Sequence, residues 1–161
     1  NALYRRRFVK EAYDIFKSLY TLSNNTNVSR IYPGIPEYFN ASGKGLYSYL
    51  TGSASWLLMT VLTEMYGIRG KGGNLIIEPK LMAEQFDDGG EAHCRTTFRG
   101  RNIIVKYINP GRLEYGQYYI KKVSINGSDL EVEAGSKYIE LFWTVLGSLP
   151  EKHLNIIIEL G

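Results

Sequence analysis

The sequence predicts an α+β fold in which a helical first part, residues 1–70, is followed by an all-β second part, residues 71–161. Two observations carry this. Apolar residues recur every three or four positions before residue 70, and after it they fall in short runs rich in β-branched and aromatic residues. Glycine, proline and asparagine turn signals are interspersed among those later runs, and no internal repeat divides the chain further.

From Ala2 to Leu22, the residues Leu3, Phe8, Val9, Ala12, Ile15, Phe16 and Leu19 define the apolar stripe of an amphipathic helix, with charged residues between them. The polar stretch Ser23 to Asn27 ends it, and Tyr32-Pro33-Gly34-Ile35-Pro36 forbids a helix across the next segment. A second helical segment follows Gly43 and Gly45 and runs to about Tyr66. Trp56, Leu57, Leu58, Met59, Val61, Leu62 and Met65 leave few polar positions on any of its faces, the pattern of a buried helix. Gly67 is placed to cap it.

Beyond Asn74, the runs 75–77, 92–98, 103–107, 115–125, 129–132 and 154–160 read as strands of an antiparallel β-sandwich. Asn126-Gly127 is a type I′ hairpin signal, and Gly89-Gly90 and Asn109-Pro110-Gly111 mark other turns. Residues 139–146 fit a strand and a short helix equally well. Trp143, Tyr115, Tyr118 and Tyr119 are expected in or around the core of this half.

A chain of 161 residues with 44% hydrophobic and 22% charged residues has the composition of a folded domain. Its net charge of +3 is spread out apart from Arg5-Arg6-Arg7, a solvated helix face, so nucleic acid is not an expected partner. The longest apolar run, Trp56 to Met59, is far short of a membrane span. Cys94 is the only cysteine, which fits a reducing, cytoplasmic setting, and it reads as a strand residue. The sequons at Asn24, Asn27, Asn40 and Asn126 matter only in a secreted protein. The chain opens at Asn1 directly into a helical pattern, and two helices cannot bury an all-round apolar surface alone. A piece of a larger chain is therefore expected, with an apolar face that invites self-association.

Only Tyr49-Leu50-Thr51-Gly52-Ser53-Ala54-Ser55-Trp56 combines hydroxyls, a glycine and an abrupt helix start. Unpaired N–H groups and the helix dipole favour an anion there, with Gly52 permitting close approach and Thr51, Ser53 and Ser55 donating. Thr51 or Ser53 acting as a helix cap accounts for the same residues. The preceding loop, Tyr32 to Asn40, sets Glu37 beside Tyr38 and Phe39, a composition suited to a sugar and equally to a self-packed turn. His93 and His153 read as sheet or surface residues, Asp87-Asp88 as a turn, and no cluster has metal-ligand spacing.

Pro36-Glu37-Tyr38-Phe39 and the run Gly45 to Trp56 resemble the C-terminal part of cellobiose phosphorylase-like inverting glycoside phosphorylases, glycoside hydrolase family 94. Gly67-Ile68-Arg69-Gly70, Leu75 to Leu81 and Leu160-Gly161 are similar to the family's passage into its final β domain. The resemblance implies the last helices of an (α/α)6 barrel followed by a jelly-roll-like domain. It implies phosphorolysis of a β-linked glucose disaccharide or oligosaccharide with inversion, giving α-glucose 1-phosphate, with inorganic phosphate as co-substrate and no cofactor or metal. Thr51 and Gly52 correspond to the family's phosphate-binding pair, and Glu37 falls near a substrate-binding position, although the intervening loop is shorter here. The family's catalytic acid and its phosphate-binding arginine and histidine correspond to no residue of this chain. They would lie upstream, so this chain is expected to be inactive alone and to belong with that upstream part in a homo-oligomer. The alternatives are the trimming module of a cyclic β-glucan synthase and a non-catalytic carbohydrate-binding β-sandwich.

Overall fold

The computed structural model describes residues 1–32, 34–47 and 52–161, which form two compact units, Asn1–Val61 and Leu62–Gly161. The fold is α+β, and among the described residues no helix is long and apolar enough to cross a membrane.

In the first unit, the helix expected over residues 2–22 is two helices, α1 (Ala2–Arg5) and α2 (Val9–Asn24). Arg7 lies at φ 67, and the N–H groups of Phe8 and Arg7 donate to the Leu3 and Tyr4 carbonyls at 3.0 Å each. That pair of bonds is a Schellman closure, which normally recruits glycine, so the apolar periodicity alone gave no warning of it. A short helix α3 (Thr26–Ser29) and a two-stranded hairpin, β1 (Tyr38–Phe39) with β2 (Gly45–Leu46), lead to α4 (Ser53–Thr60). The hairpin loop is organised by Asn40, whose Oδ1 accepts from the Ser42 and Lys44 N–H groups at 3.0 and 2.9 Å. Gly45 is closely covered, since a Cβ there would lie 2.7 Å from Ile31 Cγ1. The expected all-round burial of the second helical segment is not found. Of α4 only Thr60 is buried, while Trp56, Leu58 and Met59 are 64%, 70% and 51% exposed.

The second unit begins with a π-helical turn, Val61–Met65, of which all but the first residue belongs to it. Gly67 has φ +71, and a Cβ there would sit 1.8 Å from the Glu78 carbonyl oxygen, so glycine is required both for the cap and for the close approach. A three-stranded sheet has the order β3 (Ile68–Lys71), β4 (Asn74–Ile77), β9 (Ile139–Leu141). The five-stranded sheet has the order β5 (Glu91–Phe98), β6 (Arg101–Ile108), β10 (His153–Leu160), β7 (Ile120–Ile125), β8 (Ser128–Leu130).

The sequence reading of a purely antiparallel β half requires correction, because β10 pairs in parallel with β6 from His153↔Asn102 to Glu159↔Ile108. β10 is antiparallel to β7 on its other side. Parallel neighbours need a long crossover, and residues 109–152 supply it. Periodicity reports which face of a strand is buried and is blind to strand direction. Leu154, Ile156, Ile158 and Leu160 alternate into the core with Ile103, Val105, Tyr107, Ile120 and Val123. The segment left open at 139–146 resolves into both alternatives: β9 pairs with β4 at Ile77↔Ile139 and Leu75↔Leu141, and α5 (Trp143–Ser148) follows. Asn126-Gly127, at φ 50 and 84, joins β7 to β8 as expected of a type I′ turn. Arg99-Gly100, at φ 50 and 74, makes the same kind of turn between β5 and β6 without the usual asparagine.

Two polar arrangements are built into this unit. The Tyr118 hydroxyl accepts from the Leu81 N–H at 2.9 Å and donates to the Leu81 carbonyl at 3.0 Å, fixing the segment after β4. Lys80 Nζ lies 3.2 Å from Glu64 Oε2, with both side chains 5% exposed, and 3.9 Å from Glu78, which in turn meets Arg69 at 2.6 Å. Removing one member of such a pair leaves a buried charge uncompensated. Lys80→Ala is therefore expected to destabilise the second unit by about 3–5 kcal/mol, and the double variant Lys80→Met/Glu64→Leu to recover most of that loss, as read by urea denaturation.

Candidate functional site

The first unit carries a cleft of about 380 Å³ whose lining includes Tyr4, Phe16, Glu37, Ser53, Trp56 and Thr60. Glu37 reaches it from the strand-leading segment before β1, where its N–H donates to the Leu46 and Tyr47 carbonyls at 3.1 Å each. Ser53, Trp56 and Thr60 come from α4, and the Thr60 hydroxyl donates to the Trp56 carbonyl at 2.7 Å while accepting from Asn1 Nδ2 at 3.3 Å. Loop carboxylate and helix hydroxyls, which the sequence proposes separately, thus share one cleft.

Thr51 lies outside the described residues. Gly52 is exposed at the N-cap of α4, with φ −75 and ψ −6 and no side-chain cap bond at this helix start. Ser53 is therefore the first helical residue and not the cap. The reason for glycine at 52 is local: a Cβ there would lie 2.9 Å from Trp56 Cδ1 and 3.3 Å from its Nε1, so the indole rests against the glycine.

Tyr4 is a lining residue that the sequence reading did not single out. It is 1% exposed, and its hydroxyl has no hydrogen-bond partner among the described residues. Burial, with a smaller contribution from Tyr13, raises its pKa, so it stays a neutral phenol able to donate. No signal short of the tertiary fold marks it, because one tyrosine beside an apolar stripe carries no sign of how deeply it is buried. Chemically the cleft offers a carboxylate, hydroxyl donors and aromatic faces beside a helix start. These are means of binding a polyhydroxylated ligand, and the two histidines of the chain are both in the other unit.

In the second unit, Asp87, Glu91 and His93 bring ligating atoms within 4.8 Å of one another, a proximity that their spacing did not suggest. The turn expected at Asp87 is present, its Oδ1 accepting from the Glu91 N–H at 2.8 Å. Lys106 Nζ meets Glu91 Oε1 at 2.5 Å, and His93 Nε2 lies 3.3 Å from Oε2. A lysine ammonium thus already neutralises the central carboxylate. Cys94 is half-buried on β5, and burial raises its pKa, which leaves it a poor nucleophile at neutral pH. Trp143 and Tyr119, expected in or around the core, are 54% and 43% exposed.

No protein-family model and no curated protein matches this chain.

An unpaired buried hydroxyl costs stability unless a ligand meets it. Tyr4→Phe is expected to raise the stability of the ligand-free chain by about 1 kcal/mol in urea denaturation. The hydrogen bond from Lys106 is the largest cause lowering the Glu91 pKa, so Glu91 favours the folded state above its unfolded pKa and that contribution is lost as pH falls through the lower folded value. Lys106→Met should move the Glu91 carboxyl titration upward toward the ordinary carboxylate range, as followed by side-chain carboxyl NMR.

Proposed function

We propose that this chain is the C-terminal part of an inverting glycoside phosphorylase of the cellobiose phosphorylase type, acting on β-linked glucose disaccharides or oligosaccharides with inorganic phosphate. The observation that carries the reading is that Glu37 and Ser53, the first residue of α4, line the same cleft, with the Trp56 indole laid against Gly52. Thr51 and Gly52 bind phosphate in this reading, the dipole at the start of α4 adding to their hold on the anion. Glu37 accepts from sugar hydroxyls. Phosphate takes the place of the base-activated water of an inverting hydrolase.

Three further points bear on it. The apolar face formed by Trp56, Leu58 and Met59 is what a terminal barrel helix presents to neighbouring helices, so α1, α2 and α4 are the last helices of an (α/α)6 barrel. In this reading the two sheets of the second unit belong to the family's C-terminal β domain, although the parallel β6–β10 pair departs from the wholly antiparallel pairing of a jelly roll. In this reading the acid and the rest of the phosphate clamp come from an upstream part of the protein, and Glu37 is the carboxylate that this unit adds to the cleft. The same apolar face favours association into an oligomer, and the protein works in the cytoplasm without a metal or cofactor.

A carbohydrate-binding β-sandwich without enzymatic activity is the second reading, favoured by the exposure of Trp143 and Tyr119. The two separate in a phosphorolysis assay on the whole open reading frame that encodes this chain, with a panel of β-linked glucose disaccharides and oligomers. Phosphate-dependent release of glucose 1-phosphate is expected, falling by about 10²–10³ on Thr51→Ala, the cost of losing one preorganised anion donor. The 161-residue chain by itself should yield none. Absence of product from the whole protein with every donor would sink the phosphorylase reading.

A further inference from the structure

The second unit contains a cavity of about 260 Å³, remote in kind from the cleft described above, whose lining includes Phe98, Arg99, Arg101, Trp143 and Leu146 and no acidic residue. Two guanidinium groups and an indole thus share a small concavity with no carboxylate to neutralise them.

The two arginines differ in what holds them. Arg101 Nη1 donates to the Leu149 carbonyl at 2.8 Å and also to the Glu151 carbonyl, which fixes its plane against the segment leading into β10. Arg99 has no hydrogen bond or ion pair among the described residues. It sits at φ 50 as the first residue of the two-residue turn between β5 and β6, where asparagine or glycine is the favoured occupant and an arginine backbone is strained. The turn tolerates that strain while aiming a charged side chain at the cavity.

Opposite the turn, Trp143 opens α5, its N–H donating to Asn74 Oδ1 at 2.9 Å, and Asn74 Nδ2 is in turn bonded to Glu140 at 2.6 Å. The backbone that carries the indole is thereby anchored to β4. Gly73 separates the two groups: a Cβ on it would lie 3.2 Å from Arg99 Nη1 and 3.8 Å from Trp143 Cβ. A larger residue at 73 would crowd the guanidinium.

We propose that this cavity binds an anionic sugar, a single hexose ring carrying a phosphate or carboxylate. The ring stacks on the Trp143 indole, as the flat apolar face of a pyranose does on aromatic side chains, and the anion takes the free Arg99 fork in charge-assisted hydrogen bonds, with Arg101 adding positive potential. A volume of about 260 Å³ is below that of sites for drug-sized ligands and suits one ring, not an oligomer. The site is independent of the phosphorylase reading, since none of its residues lies in the unit that holds the Glu37 cleft.

The chain has two tryptophans, so in a Trp56→Phe background the intrinsic fluorescence reports Trp143 alone. The 161-residue chain in that background is titrated with glucose 6-phosphate, glucuronate, glucose and inorganic phosphate. A saturable change is expected with glucose 6-phosphate, glucuronate or both, the pair distinguishing phosphate from carboxylate as the anion, with affinities at least tenfold weaker for glucose and for inorganic phosphate. Arg99→Asn creates an Asn-Gly turn, so it should keep or raise the melting temperature while weakening the charged sugar at least tenfold, and Arg99→Met should weaken it equally. The proposal is overturned by no saturable change with either charged sugar, by equal affinity for glucose or for phosphate alone, or by undiminished binding in a folded Arg99→Asn variant.

Discussion

The second unit depends on one strand. β10 lies between β6 and β7, so each edge of its backbone is paired, and its alternate residues Leu154, Ile156, Ile158 and Leu160 are buried to within 1% exposure or less. Both of its ends are tied down as well. Asn126 in the β7–β8 turn receives the Asn155 N–H at 2.9 Å, and Gly161 exchanges backbone bonds with Tyr119 at 3.1 and 3.2 Å. Without β10, β6 and β7 would each have an unpaired edge in the middle of the sheet. Its parallel pairing with β6 also forces the chain to leave the sheet and return, and β9 and α5 are placed during that excursion.

The placement of α5 decides the surface chemistry of this unit. Because β9 must pair with β4, the chain turns at Phe142 and delivers Trp143 to the side where Asn74 and Gly73 lie. The β5–β6 turn brings Arg99 to the same place. A rigid sheet thus sets two loop-borne groups facing one cavity, which is a common way for a stable scaffold to carry a binding site. The interior is treated differently: the buried charges of Lys80 and Glu64 are paired with each other, and the buried Tyr118 hydroxyl is satisfied by Leu81. Both follow from the cost of leaving a polar group unmatched away from water.

The first unit follows a different arrangement, with one buried polar group left unmatched among the described residues at its cleft. Tyr4 is buried with a hydroxyl that has no partner among the described residues, and Gly52 supports an indole that is itself mostly exposed. A buried hydroxyl without a partner is rare in folded proteins, and a ligand at the cleft is the reason proposed for this one.

The sequence alone determined the order of helical and β segments, the Asn126-Gly127 turn, the cap at Gly67 and the residue types of the helix-start segment, because each rests on local periodicity or on one residue's φ preference. It named Glu37 and Gly52, which the fold sets beside the cleft and at the start of α4. Tertiary structure decided what local rules cannot reach. The helix break at Arg7 and the turn at Arg99 use left-handed arginines where the signal is normally glycine or asparagine. Strand direction in β10 depends on which neighbour is available, and a burial pattern of period two is the same for either direction. Tyr4 became a candidate donor, and Arg99 and Trp143 became neighbours, only when residues distant in the chain were brought together, since a side chain's partners are set by three-dimensional packing and not by its own identity.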